Sequence, residues 1–334
     1  ITLINNGFYE ASLKKKGINI YSLNINHRGK FIDLIKKIIK LRQFIKNQNP
    51  DIIQSWMYHS NFLTLFIPRI FFNRLFWNIR HSELNYQISK KMTIFLSIIC
   101  GLFSRVVPKK IIYCSEKSVN FHEKHHFYNK NKTRIIYNGY DLKTYYHSKQ
   151  LRLSFRKKNK IKKSDIVFGF AGRYAKQKNI PSLLFAFSKI IRRSNNLYLC
   201  MVGNDINYSN KKLTFLINNL KIKDKVFLLN HQKDLLEFYN GIDLLLLVSH
   251  SESFPNVIAE AMLCTTPVMS TDAGCAKKII NKYGFIINNN NSTSIIDGLR
   301  KSLNIFKNKK KKWKFIKINS QSYIRNFFSI KKMA

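Results

Sequence analysis

Short apolar runs alternate with longer amphipathic stretches along nearly the whole chain, and this predicts an α/β protein built on two mostly parallel, doubly wound sheets. Two further observations set the number of domains. The 334 residues suffice for two sizeable cores. A polar, Lys-rich passage from Thr144 to Ser164 parts one strand–helix series from a second. The expected layout is a first domain over 1–143, a linker over 144–164, a second domain over 165–306 and a basic tail over 307–334.

In the first series, Ile1–Ile4, Asn19–Leu23, Ile52–Trp56, Leu75–Ile79, Lys110–Cys114 and Arg134–Tyr137 are runs of strand length. Phe31–Gln48, Ser60–Phe72 and Lys90–Phe103 carry apolar residues at helical spacing. Ile1–Ile4 reads as a strand already inside a fold, so an earlier strand and loop are expected ahead of it. The second series predicts strands at Ile166–Ala171, Tyr198–Val202, Val226–Leu229, Leu244–Val248, Val268–Ser270 and Gly284–Ile287. Its helices are expected at Ile180–Arg193, Lys211–Asn219, Asp234–Asn240, Val257–Cys264 and Ser294–Phe306. Trp313–Phe328 is long enough for one more helix, expected to pack back on the first half. Open parallel sheets take ligands beyond the carboxyl ends of their strands, and a cleft between two such domains is the expected site.

The charge is extreme: 59 Lys and Arg face 17 Asp and Glu, a formal +42. Such a balance ordinarily points to nucleic acid or an anionic membrane. Here Lys, Asn, Ile, Phe and Tyr are inflated together, as in an AT-rich coding sequence, and the cations are dispersed. A specific reader of nucleic acid is therefore not expected, and Lys309–Lys312 reads as a solvated block. The field still favours anionic lipid surfaces and anionic substrates. Five cysteines without a CxxC pair read as reduced, buried thiols of a cytosolic protein. Met92–Val107 is the most apolar stretch, yet Ser97, Gly101, Ser104 and Arg105 interrupt it and lysine pairs flank it. It reads as a packed or interfacial helix, not a membrane span.

The most informative segment is Glu252-Ser253-Phe254-Pro255-Asn256-Val257-Ile258-Ala259-Glu260, lying between two strand candidates. Pro255 suits the first helical position and Ser251 or Ser253 a cap, so a helix should open here. Its first turn offers backbone N–H groups and a positive dipole end, a seat for phosphate. Glu252 precedes the helix and Glu260 is expected nearly two turns inside it. A second motif, Gly172-Arg173-Tyr174-Ala175-Lys176-Gln177-Lys178-Asn179, follows the first strand of the second series. Two cations on a strand-to-helix turn can clamp a pyrophosphate, although two solvated cations among 59 would look the same. In the first half, Trp56-Met57-Tyr58-His59-Ser60-Asn61 and Arg80-His81-Ser82 each close a predicted strand. Asn138-Gly139-Tyr140-Asp141 has the makings of a turn. His122-Glu123-Lys124-His125-His126 satisfies the H-E-x-x-H zinc pattern, but no third ligand has a convincing place.

Together these motifs resemble the retaining GT-B glycosyltransferases of family 4, also called group 1, with two Rossmann-like domains. The similarity runs from Ile1 to about Phe306, strongest in the second half. The resemblance assigns Arg173 and Lys178 to the donor diphosphate, with Gly203 alongside, and Phe254, Pro255, Asn256 and Val257 to the helix tip that meets it. It places Glu252 on the sugar hydroxyls and Glu260 on the ribose diol, a pair of acceptors that a carboxylate matches. It sets His81 at the donor sugar or reacting centre and His59, Asn61 and Arg80 on the acceptor side. The first-half motifs are similar to those of members acting in bacterial surface-polysaccharide or lipopolysaccharide assembly. The implied activity is hexosyl transfer from a nucleotide sugar to a glycan or lipid-linked acceptor, without metal or cofactor, in the cytoplasm or peripherally on the inner face of the plasma membrane. Four departures stand out. Ser253 replaces a Gly, Thr265 a Gly, Lys278 the glutamate of an E-I-V segment, and Tyr137 a Pro. Thr265 is expected to strain a tight helix-to-strand turn. Three rival readings remain at this stage: a degenerate homologue that only binds nucleotide sugar, a basic nucleic-acid binder and a zinc protease.

Overall fold

The computed structural model describes residues 1–333 except 6, 8, 26–30, 85–88, 193 and 195. Two compact units emerge: Ile1–Arg80 with Leu84–Tyr113 and Val119–Ile135, and His81–Glu83 with Cys114–Ser118 and Ile136–Ala334.

The first unit contains α1 (Glu10–Lys15), α2 (Phe31–Gln48), β1 (Ile53–Trp56), α3 (Met57–Leu63), β2 (Leu75–Ile79), α4 (Lys91–Phe103), β3 (Lys110–Tyr113), α5 (Glu116–His125, whose first turn counts with the second unit) and β4 (Thr133–Ile135). The four strands are parallel in the order β1-β2-β3-β4. Leu75, Trp77 and Ile79 of β2 are fully buried, as a central parallel strand requires. The expected strands Ile1–Ile4 and Asn19–Leu23 reduce to a parallel bridge between Thr2 and Ser22. The expected helix Ser60–Phe72 is broken: α3 ends at Leu63, and short 3₁₀ turns cover Thr64–Phe66 and Arg69–Arg74. Pro68 is the cause, because it forces Ile67 into an extended conformation and lacks a donor to continue the helix.

The second unit contains α6 (Lys149–Lys158), β5 (Ile166–Ala171), α7 (Ile180–Ile191), β6 (Leu197–Val202), α8 (Lys211–Asn219), β7 (Val226–Leu228), α9 (Leu236–Gly241), β8 (Leu244–Leu247), α10 (Asn256–Leu263), β9 (Val268–Thr271), α11 (Ala276–Ile280), β10 (Phe285–Ile287), α12 (Ser292–Asn308), α13 (Lys310–Phe327) and α14 (Ile330–Met333). Arg193, the expected end of the seventh helix, and Ala334 of the tail lie outside the described residues. Alternate residues of each strand serve opposite cores. Phe168, Met201 and Leu246 join one cluster with α7, α8 and α12. Val167, Cys200 and Leu245 join the other with α9, α10 and α11. Both faces of the sheet are thereby covered, which is why β8 reads as an unbroken run of leucines, all buried.

Two segments differ from expectation. The passage 144–164 holds α6, and α6 is part of the second unit. Phe155 is buried where Gly241 leaves room, since a Cβ on Gly241 would lie 2.1 Å from its ring. Arg152 and Arg156, one turn apart, grip Asp243 at 2.6 and 2.8 Å. A Lys-rich sequence hides this docking because only one helical face is apolar or paired. The tail helix α13 packs within the second unit: Trp313 enters one core, Ile324 and Phe328 the other, and the Gln321 amide donates to Leu263 O at 2.6 Å. All five cysteines are buried and unpaired to one another.

The turn from α10 to β9 bears out the strain expected of Thr265. Thr266 N–H reaches back to Ala261 O (2.9 Å) and Thr265 N–H to Met262 O (3.0 Å), a Schellman closure that puts Thr265 at φ +57°. A β-branched side chain costs about 1–2 kcal/mol there, partly offset by the extra freedom glycine has when unfolded. Thr265→Gly should raise the melting temperature by about 1–3 °C, read by calorimetry. A fall would show that the Thr265 side chain contributes contacts worth more than the strain.

The H-E-x-x-H histidines are structural. His122 Nε2 shares a 2.7 Å hydrogen bond with Tyr58 Oη, and His126 Nδ1 one of 2.7 Å with Ser97 Oγ, all four groups buried. Among the described residues no three His, Cys, Asp or Glu groups meet as a metal site would require. Burial, then the His125 charge, lowers His126 to about 4. A depressed histidine pKa means the unfolded chain binds the extra proton first, so stability is complete above about 6.5 and is lost as pH falls toward 4. The melting temperature should drop over that interval, and His126→Asn should flatten the slope. An unchanged slope would exclude His126 as its source.

Candidate functional site

The second sheet runs β10-β9-β8-β5-β6-β7. The chain leaves β5 in one direction, through β6 and β7, and returns to β8 on the other side, with Phe168 registered against Leu244. At this reversal the loops after β5 and β8 leave the sheet side by side at the strand carboxyl ends, where open parallel sheets take their ligands.

From β5 the chain passes Gly172, Arg173 and a 3₁₀ turn at Lys176–Lys178 to Asn179, in the left-handed region at φ +53°. From β8 it passes Ser249 and Glu252 to α10. These two loops are stitched together. Lys178 Nζ lies 2.5 Å from Glu252 Oε1, and Ser249 Oγ donates to the same oxygen at 2.7 Å. His250 N–H donates to Gln177 O at 2.8 Å, and the Gln177 amide donates to Ser251 O. The ion pair is partly withdrawn from water, with side chains 15% and 11% exposed, so it is held more firmly than a surface pair. Arg173 stands exposed at the head of the first loop.

Two glycines let neighbouring backbones approach these two loops. Gly203, after β6, has φ +145°, and a Cβ there would sit 2.1 Å from Gly172 O. Gly274, at φ +57°, leaves no room for a Cβ, which would fall 1.9 Å from Glu252 O, while Cys275 N–H donates to Ser253 O at 3.0 Å. The backbone of the Glu252 loop is thus backed by a segment that follows β9.

The start of α10 differs from expectation in three ways. Asn256 is the first helical residue and Pro255 the cap, with no side-chain capping bond. Ser251 Oγ instead shares a 3.2 Å hydrogen bond with Ser82 Oγ, and Ser253 Oγ one of 2.9 Å with Cys114 Sγ. Glu260 is the fifth helical residue, just past the first turn and not nearly two turns in. Its Oε2 accepts from the buried Tyr239 hydroxyl at 2.6 Å. Burial raises the Glu260 pKa, against the Tyr239 bond that lowers it. Phe254 is buried among Tyr137, Tyr140 and Phe328, Val257 packs on the same core, and Asn256 Oδ1 accepts from Tyr140 Oη at 2.8 Å. Phe254 therefore anchors the helix tip, which leaves its backbone as the part a ligand would meet.

His81 retains exposed surface, yet partial desolvation and then the Arg173 charge hold its imidazole below its ordinary pKa. The His81 ring therefore lies within electrostatic reach of Arg173. In the first unit, Met57 turns the chain at the end of β1 with φ +69°, a strained value of the kind concentrated at functional sites. His59 is exposed. The Arg80 guanidinium stacks 4.9 Å from the ring of the half-exposed Trp56. Asn61 is fully buried and accepts from Ser55 Oγ at 2.6 Å, so it supports the β1 turn and does not present itself at a surface.

Lys178 and Glu252 therefore meet directly, Arg173 and His81 lie within electrostatic reach, and Glu260 is held separately by Tyr239. Sequence reasoning missed Tyr239, one of 16 tyrosines with no distinguishing neighbour. It also missed Gly274, which lies in a loop past β9, where a glycine ordinarily signals only a turn. The Lys278 departure has a partner as well: its Nζ lies 2.6 Å from both Glu116 Oε1 and Tyr137 Oη, and Tyr137 Oη donates to the same carboxylate at 2.7 Å. The Lys278 bond, then that of Tyr137, holds Glu116 below the usual carboxylate range.

Residues 152–319 match the family described as Glycosyl transferases group 1, and residues 4–144 match Glycosyltransferase Family 4. An uncharacterised glycosyltransferase of Methanocaldococcus jannaschii is 26% identical over 280 residues, which cover 79% of this chain and 67% of the relative. The capsular polysaccharide biosynthesis glycosyltransferase CapM of Staphylococcus aureus is 30% identical over 155 residues, 44% of this chain and only 39% of CapM. Among solved structures, Anabaena HepE in complex with UDP superposes with a TM-score of 0.82 at 19% identity, covering 99% of this chain and 88% of HepE. That likeness establishes the GT-B fold.

The Gly274 contact predicts a graded response. Gly274→Ala combines left-handed strain with a clash and should lower the melting temperature by about 4–8 °C. Gly17→Ala, at φ +76° with open space around its Cβ, carries strain alone and should cost visibly less. Equal losses would show that the Glu252 backbone yields freely to Gly274.

Proposed function

The chain belongs to the glycosyl transferases group 1, and we propose that it moves a hexose from a nucleoside diphosphate sugar to a glycan or lipid-linked acceptor with retention of anomeric configuration. The observation that carries this reading is the Lys178–Glu252 pair at the β5/β8 reversal, with Arg173 on the same loop. Arg173 and Lys178 neutralise the diphosphate as charge builds on the leaving nucleotide, and the positive end of α10 adds to them. Glu252 and Glu260 accept hydrogen bonds from the donor's sugar and ribose hydroxyls, so the fixed carboxylates orient it from both ends. Tyr239 keeps the Glu260 carboxyl aimed, and the neutral His81 ring contacts the sugar without adding a second positive charge near Arg173.

Same-face attack fits these groups. The acceptor hydroxyl oxygen bonds to the anomeric carbon as the carbon–phosphate oxygen bond breaks, and its proton passes to the departing phosphate. With two cations and a helix end on the diphosphate, no metal is required in this scheme. Capsule synthesis by CapM supports a role in surface-polysaccharide assembly, and UDP on HepE makes UDP-sugars the first donors to try. Such a role places the chain in the cytoplasm, close to the inner membrane face.

A melting screen with UDP-, GDP- and ADP-sugars tests the donor site. Ligand at a hundredfold excess over Kd stabilises by about 2.7 kcal/mol, so the true donor should raise Tm by roughly 5–10 °C. Arg173→Ala and Glu260→Ala should each abolish the rise, and no response to any donor would end the reading. Transfer to an acceptor then separates an active enzyme from a homologue that only binds.

A further inference from the structure

We propose that α4 is a membrane-docking helix that lies flat on an anionic bilayer. Along α4 and its extension, Met92, Phe95, Leu102, Phe103 and Val106 are 51–66% exposed. At about 100° per residue these five positions, with the half-buried Ile99, fall within an arc of about 100°. The opposite side of the helix, carrying Ile94, Leu96, Ser97, Cys100 and Gly101, is buried in the first unit. The helix is therefore apolar all round, although only one side has a core to face. A helix of that kind belongs in a protein interior or against lipid, and a contiguous exposed apolar stripe marks an interaction surface.

Charge decides which surface. Lys90, Lys91, Arg105 and Lys109 flank the stripe and are exposed. No acidic residue occurs between Glu83 and Glu116. Lysines at the cap and first position of α4 oppose its dipole, and no side chain caps that end. They do not serve the helix, so an external partner is the better account. Cations at both ends with phenylalanine and leucine between them match anionic headgroups over an acyl boundary. No described helix is long and apolar enough to cross a membrane, which fits a helix lying in the interface.

The proposal rests on the membrane-proximal reading above, but its test does not involve transfer. Flotation with phosphatidylcholine vesicles containing 30% phosphatidylglycerol should capture the protein, and Phe95→Ser with Leu102→Ser should weaken capture by about tenfold or more without lowering the melting temperature. Lys90→Glu with Lys91→Glu should weaken it at least about fivefold per site, and the same double reversal at Lys311 and Lys312 should do less. Capture that ignores the Phe95 and Leu102 changes would reduce the effect to the chain's diffuse charge and overturn the proposal. It is equally overturned if those changes abolish self-association in light scattering while vesicle binding persists, because the face would then be a contact between copies. Donor binding, read by the melting screen, should be unaffected throughout. Its loss would count against the transferase reading and not against docking.

Discussion

The adjacency of β5 and β8 is the constraint from which the rest of the second unit follows. Parallel strands joined in sequence would carry the chain steadily across the sheet. Here it starts in the middle, proceeds to one edge and returns to the other side of β5. Only that order places the loop bearing Arg173 and Lys178 beside the loop bearing Glu252, which lie 74 residues apart for the ion pair they form. Burial on both faces fixes the strand register, because a slip of one residue would exchange the two cores. The site inherits its precision from the sheet and needs little from the loops themselves.

What the loops supply is close approach. A lysine and a glutamate in contact would be worth little on an open surface. Partial burial strengthens the pair but demands that both ends be satisfied, and Ser249 meets that demand at the shared carboxylate oxygen. Gly203 and Gly274 then allow two further backbones to press on the two loops, one against Gly172 and the other against Glu252. The same logic governs Glu260, whose carboxyl would be costly where it stands without the Tyr239 hydroxyl. Positioning is thus distributed over residues outside the two charged motifs, and the motif residues depend on them.

Much of this was legible in the sequence. Strand and helix periods located β2, β5, α2 and α8 to the residue, because each is a long or strictly patterned run. Failures came where a local feature outweighed the period. Pro68 broke a helix whose apolar spacing was sound, and α6 was overlooked because its docking rests on one buried phenylalanine and two arginines around Asp243, too little for a periodic signal. Lys178 and Glu252 could be named from their motifs, but their pairing was not deducible, since each motif assigns its residue to a ligand. Asn61 shows the converse, a motif position that the fold uses for internal bonding. Spacing tells which residues gather at strand ends; it does not tell which of them remain available.

The departures from the family pattern read differently once their surroundings are known. Tyr137 and Lys278, taken singly, are two unrelated losses. In space they are neighbours: the ammonium lies 4.6 Å from the tyrosine ring centroid, and both groups bond the Glu116 carboxylate. A glutamate at 278 would face Glu116 at ion-pair distance, and a proline at 137 would remove the hydroxyl that bridges them. Each replacement is therefore intelligible only beside the other, as one exchange of a charge pattern, and neither lies in the Lys178–Glu252–Ser249 constellation. Thr265 is a departure of another kind, a left-handed residue in the Schellman turn, and it sits at the far end of α10 from its N-terminal tip.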